Sequence, residues 1–201
     1  MVGKPRIRRD SAEVARNCWE AGEAATFLKA AKAAGPRPAA FYALALDSGA
    51  RKGELCGLRW TDLDLEKGTV AFVQQLIETD ENGAPVFGPI KNDMPRTLDL
   101  GAETVALLKE HKRHQAELKM RNRTLYQDHG LVFAKEWSER YKQTDYLGLP
   151  LQTNNMGERE FARIIKAAGV PGCATRARRC CSRPVWHRTW CRSGSATNEL
   201  R

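Results

Sequence analysis

The order of apolar and polar positions divides this chain into helices interrupted once by a short strand-rich stretch. Ala24, Phe27, Leu28 and Ala31 recur at helical spacing, which predicts an amphipathic helix over 19–34, stopped by Gly35-Pro36. A second apolar helical run, with Phe41, Leu44 and Ala45, ends at Ser48-Gly49 and should pack beside the first. Residues 69–77, TVAFVQQLI, are β-branched and apolar enough for one strand, and Glu81-Asn82-Gly83 signals a turn. Pro85-Val86-Phe87 and 96–100 (RTLDL) then predict two more strands, giving one small antiparallel sheet. A long helix follows over 102–121, with Val105, Leu108, His111, Gln115 and Leu118 on one side. Leu131-Val132-Phe133 reads as a short buried strand or turn, and 137–153 as a polar, mobile loop. The stretch 156–168 is an amphipathic helix with Phe161, Ile164 and Ile165 inward. The fold class expected from this pattern is mainly α with a small antiparallel β-sheet.

The densest chemistry lies in 43–65, ALALDSGARKGELCGLRWTDLDL. Arg51 opens a short helix there, so its guanidinium stands where free backbone N–H groups already favour an anion. Arginine adds bidentate, charge-assisted hydrogen bonds to phosphate that lysine cannot reproduce. Leu55 and Leu58 mark the buried side, and Trp60 and Asp62-Leu63-Asp64 lead out towards a strand. Further on, the loop 88–93 presents one lysine, Lys91, which in isolation would be an ordinary solvent-exposed side chain.

Gly-x-Arg, Gly-Glu-Leu, Gly-Leu-x-Trp and Asp-x-Asp, all in register over 49–64, resemble the first active-site box of the tyrosine recombinases, the phage-integrase family of DNA breaking and rejoining enzymes. The resemblance covers roughly 19–171 and implies the integrase catalytic-domain fold. It also implies a cofactor-free, metal-free reaction on double-stranded DNA, in which a tyrosine attacks the scissile phosphate and forms a 3′-phosphotyrosyl link. Arg51 would hold the nonbridging phosphate oxygens, and Glu54 would be the supporting acidic residue that positions the constellation. Lys91 occupies the place of the family lysine that reaches into the minor groove and protonates the departing 5′ oxygen. Arg51, Lys91 and Arg96 are the expected DNA contacts, with Arg51 and Lys91 on one concave basic face. Family members assemble as multimers on DNA. They usually carry a helical clamp domain before this point, and fewer than twenty residues precede the first helix here.

Composition changes the picture at the end of the chain. Of the net charge of +9, residues 172–201 supply +6, from seven arginines and one glutamate, together with four of the six cysteines, Cys173, Cys180, Cys181 and Cys191. The chain therefore reads as a basic arm or linker (1–18), a partial catalytic domain (19–171) and an aberrant tail (172–201). The tail has neither helical nor strand periodicity. The family's His-x-x-Arg box and late nucleophile are absent from it, and Tyr42, Tyr126, Tyr141 and Tyr146 all precede the place where the nucleophile belongs. None is assigned that role: Tyr42 is expected in the core, the others in loops or at helix ends.

Back-translation offers a reason. If each codon begins on the third base, Cys180-Cys181 forces leucine, Trp186-His187 forces alanine and Trp190-Cys191 forces valine. With mostly GC-ending codons elsewhere, 172–196 becomes approximately LRHTCATLLLAAGVAPHVVQERLGH, the pattern the family carries at its second box and beyond. A frame-shifted tail is thus expected, leaving a recombinase that lacks its nucleophile; the alternative is a non-catalytic DNA-binding remnant or a decayed mobile-element protein. The tail cysteines lack the spaced pairs of a zinc site. His111 and His114 form an i, i+3 pair with no cysteine or carboxylate constellation paired with it, so a solvated or partly packed helix face is expected and no metal. No apolar run approaches the roughly 20 residues that span a bilayer, and a soluble, cytoplasmic protein is expected.

Overall fold

The computed structural model describes residues 19, 21–81, 83–90, 94–136, 147–151 and 159–170. Helix α1 (Ala21–Ala33) and helix α2 (Pro36–Ser48) follow one another as the apolar spacing requires. Proline within the first turn of α2 sacrifices no hydrogen bond, because the first N–H groups of a helix have no intrahelical partner. Gly49 ends α2 in the left-handed conformation (φ 61°) with its N–H donating to the Ala45 carbonyl (3.1 Å). The turn delivers the chain directly into α3 (Lys52–Cys56), a single helical turn.

A 3₁₀ turn (Trp60–Asp62) leads to β1 (Leu63–Asp64), followed by β2 (Thr69–Phe72), β3 (Gln75–Thr79), β4 (Pro85–Gly88) and β5 (Arg96–Asp99). The single strand expected over 69–77 is in fact two. β2 is the centre of an antiparallel sheet in the order β1-β2-β5, whereas, among the described residues, β3 pairs with β4 in a second sheet. The break falls at Val73-Gln74, where Val73 is exposed and the Gln74 side-chain amide donates to the Gly57 carbonyl (2.9 Å). A polar residue inside the apolar run thus ties the chain to the end of α3 and redirects it beneath that helix. A Cβ on Gly57 would lie 2.6 Å from the Leu76 nitrogen, so glycine there is a requirement of space.

Helix α4 (Ala102–Arg121) has the predicted bounds and buries Leu108, His111 and Gln115, with Thr104 and Leu107 completing the face. His111 is wholly buried, which corrects the expectation of a solvated or partly packed pair. The segment 147–151 is a second correction. Leu147, Leu149 and Leu151 are buried and Pro150 bridges to Ala134, so the apolar alternation within this part of the polar stretch anchors it. Helix α5 (Phe161–Ala168) turns Phe161, Ile164 and Ile165 inward as expected. One core unites the helices and the β1-β2-β5 sheet, built on Phe27, Phe41, Leu44, Phe72, Leu108 and Phe133. Tyr42 belongs to it, with its ring edge-on to Phe27 at 5.1 Å. No helix among the described residues is long and apolar enough to cross a membrane.

Candidate active site

Arg51 stands immediately before α3 with an extended backbone (φ −72°, ψ 151°), and Glu54 three residues later reaches back to it. The Arg51 N–H donates to Glu54 Oε2 (2.8 Å), half of a capping box, and Arg51 Nη1 donates to Oε1 (3.0 Å). From the far side, Arg96 at the start of β5 closes on the same carboxylate. Its Nη2 donates to Oε2 (2.6 Å) and its Nη1 to Oε1 (3.1 Å). Register places Arg96 there. β5 pairs with β2 so that Arg96 lies opposite Phe72, and its guanidinium sits 4.9 Å above that ring.

Glu54 is therefore a fully buried carboxylate that accepts four hydrogen bonds from two arginines. Burial pushes its carboxyl up, but the hydrogen bonds from Arg96 and Arg51 and the charge of Arg96 outweigh this and hold it below the usual range. It stays ionised and pins two guanidiniums side by side. Both remain about one-third exposed, 36% for Arg51 and 32% for Arg96, so each keeps donors free for an anion.

The rest of the motif is scaffold. The Trp60 indole N–H donates to Gln115 Oε1 (2.7 Å), and the Gln115 amide in turn donates to the Leu131 and Val132 carbonyls (3.2 and 3.1 Å). Asp62 accepts the Arg59 N–H (3.1 Å), and Asp64 accepts the N–H groups of Glu66 and Lys67 (3.1 and 2.9 Å), so both aspartates cap turns. Gln75 donates to the Pro89 carbonyl (2.7 Å) and Ile90 is buried, which anchors the stem of the loop. Lys91 itself lies outside the described residues, as do Tyr141, Tyr146 and the whole tail from 171. Of the two described tyrosines, Tyr42 is core. The Tyr126 hydroxyl is pushed up by burial and by the charges of Asp128 and Glu136, the opposite of an activated nucleophile.

The pairing of Arg96 with Glu54 is the feature that residue spacing missed. An arginine opening a strand, Arg96, within reach of the sheet beside the motif was the available signal.

The family model described as the phage integrase family matches residues 19–177. The chain belongs to that family. A XerC-like tyrosine recombinase of Caldanaerobacter subterraneus subsp. tengcongensis is 32% identical over 146 residues, covering 68% of this chain. The chain spans about a third of that relative, 35% of its length. The fold is also similar to the crystal structure of XerA recombinase (TM-score 0.53, 19% identity, 77% of this chain and 44% of that one). A similar fold occurs in the Tn1549 transposon integrase in complex with circular intermediate DNA (TM-score 0.53, 15% identity, 82% of this chain and 51% of that one). The integrase catalytic-domain fold thus stands: helices around small antiparallel sheets.

Proposed function

We propose that this chain is the catalytic-domain portion of a site-specific DNA recombinase that binds duplex DNA but lacks the nucleophile to cut it. The observation that carries the reading is the Glu54 carboxylate, buried and holding Arg51 and Arg96 together with their outer faces open. A phosphate diester approaching that face would meet pre-oriented donors, and fixed donors stabilise developing charge without reorganising. Arg51 takes the nonbridging oxygens. Arg96 shares the carboxylate and adds a second positive charge, and Lys91 is the general acid for the departing oxygen.

The two described tyrosines support the incomplete half of the proposal. Tyr42 is locked in the core and Tyr126 resists deprotonation, and the tail from 172 carries neither a His-x-x-Arg box nor any tyrosine. Electrostatic stabilisation cannot replace an attacking oxygen. A frame shift near 170 within a mobile element accounts for the composition of the tail, and a cytoplasmic location follows from action on DNA.

The test is titration of labelled random-sequence duplex DNA at several salt concentrations, paired with covalent capture on a pool of nicked duplexes resolved by denaturing electrophoresis. Binding should weaken steeply with salt, and Arg51→Ala should reduce the slope of log K against log salt by about one. No protein–DNA band should survive denaturant. A surviving band that disappears with any one Tyr→Phe variant would show that the chain is an active enzyme.

A further inference from the structure

The second buried polar centre lies on α4, away from the arginine pair. His111 is 0% exposed, and its Nε2 lies 2.8 Å from the Val132 carbonyl. A carbonyl only accepts, so Nε2 carries the ring proton and Nδ1 presents a bare lone pair. That Nδ1 is buried without a hydrogen-bond partner. One helical turn on, His114 Nδ1 and Oε1 of Glu136, which enters from the segment beyond Phe133, are also buried without a hydrogen bond and face each other at 3.6 Å. One ligand atom from each of the three residues lies within 4.8 Å of the others. The two histidines are three residues apart in sequence, and the fold brings the third donor from Glu136.

We propose that His111, His114 and Glu136 form a site for a first-row transition-metal dication of the zinc class, clasping α4 to the segment that carries Glu136. Two imidazoles and one carboxylate are a donor set such ions take, with water in the fourth position. Bonds of about 2.0–2.1 Å in a tetrahedron require donor atoms about 3.3 Å apart, so the three must close by up to about 1.5 Å. The histidine pair sits on one face of a rigid helix, and His114 (41% exposed) and Glu136 (20% exposed) have room to move. Outer partners are already present. The Val132 carbonyl fixes the tautomer of His111, as metal-bound histidines generally require, and Arg37 Nε lies 3.3 Å from Glu136 Oε2, orienting the carboxylate by its other oxygen. The positive charge of Arg37 does not repel the ion unopposed, because Arg37 Nη2 also donates to Glu160 (2.9 Å). The ring of His111 stacks on Phe133 at 5.5 Å, so the pocket is walled by apolar rings.

The experiment uses the full chain with Cys173, Cys180, Cys181 and Cys191 replaced by serine, so that tail thiols cannot compete, and titrates it with Co²⁺ in the absence of DNA. One Co²⁺ per chain should bind with visible d–d absorption and no sulfur charge-transfer band. Zn²⁺ should displace it and raise the thermal midpoint. His114→Ala and Glu136→Gln should each weaken Co²⁺ binding by more than the roughly 10–100-fold typical of losing an outer-shell partner, and abolish the thermal shift. Far-UV circular dichroism checks that the variants fold. If His114→Ala does not, the isosteric Glu136→Gln decides. Absence of saturable Co²⁺ binding, affinity unchanged in the folded variants, or a thiolate band would overturn the proposal and leave His114 and Glu136 as a metal-free pair. Failure here would not touch the DNA-binding reading, which is measured without metal.

Discussion

Glu54 and His111 are both wholly buried polar side chains, yet they are satisfied in opposite ways. Glu54 has every lone pair answered by an arginine donor and remains charged. His111 has one nitrogen bonded and one bare, and burial pushes its ring down to about 4, so it remains neutral. Desolvation opposes charge at both positions; at Glu54 the two arginines outweigh it, whereas at His111 the positive charges of Arg37 and His114 add to it. The first centre can therefore hold two cations in place for a phosphate. The second keeps an unused lone pair at a convergence of donors.

The largest effect expected from breaking this contrast is at Glu54. Glu54→Ala leaves two guanidiniums over a void and should cost about 3–5 kcal/mol of stability in urea denaturation, the usual result of removing one partner of a buried pair. Glu54→Gln keeps the shape and loses the charge, so it should cost less. If Glu54→Ala costs under 1 kcal/mol, the pair is not what organises the site.

Acid titration separates the two centres next. His111 binds its proton at about 6.5 when unfolded and at about 4 when folded, so the unfolded chain holds more protons between those values and stability falls as pH drops through that window. The loss should be about 3 kcal/mol, at about 1.36 kcal/mol per pH unit, in chelator-containing buffer. Glu54 contributes below that. Its stabilisation is present above its ordinary value of 4.5 and disappears only as pH falls through its lower folded value. Denaturation curves of His111→Gln and the parent should therefore converge in stability as pH falls from 7 to 4. A constant gap would show that His111 does not titrate this way.

A smaller effect distinguishes the two arginines. Arg96→Lys loses a bidentate fork and a ring contact and should cost about 1–2 kcal/mol of stability. Arg51→Lys should cost less stability and more DNA affinity, because its carboxylate contact is single and its outer face is the one assigned to phosphate. Equal effects of the two on DNA binding would remove the distinction. The smallest change is expected at the Lys32–Glu103 pair, 2.6 Å apart but 45% and 71% exposed. Lys32→Ala should shift stability by about 0–1 kcal/mol, which sets the baseline for a solvated ion pair.

Local chemistry alone determined a good deal. The bounds of α4, the stop at Gly49, the start at Arg51 and the inward face of α5 are each written in residues a few positions apart, because helical periodicity and caps are short-range effects. The family motif is legible for the same reason: its glycines, its Arg51–Glu54 step and its turn-capping aspartates interact within one or two turns. Only the tertiary structure decided the rest. Arg96 meets Glu54 across 42 residues, through the register of β5 on β2. Residues 69–77 divide between two sheets because Gln74 is bound by Gly57, and no alternation of side chains encodes that tie. Glu136 reaches the histidine pair because the segment 131–136 packs on α4. In each case a polar group finds its partner at long range, where burial and strand pairing bring together residues that no local pattern relates.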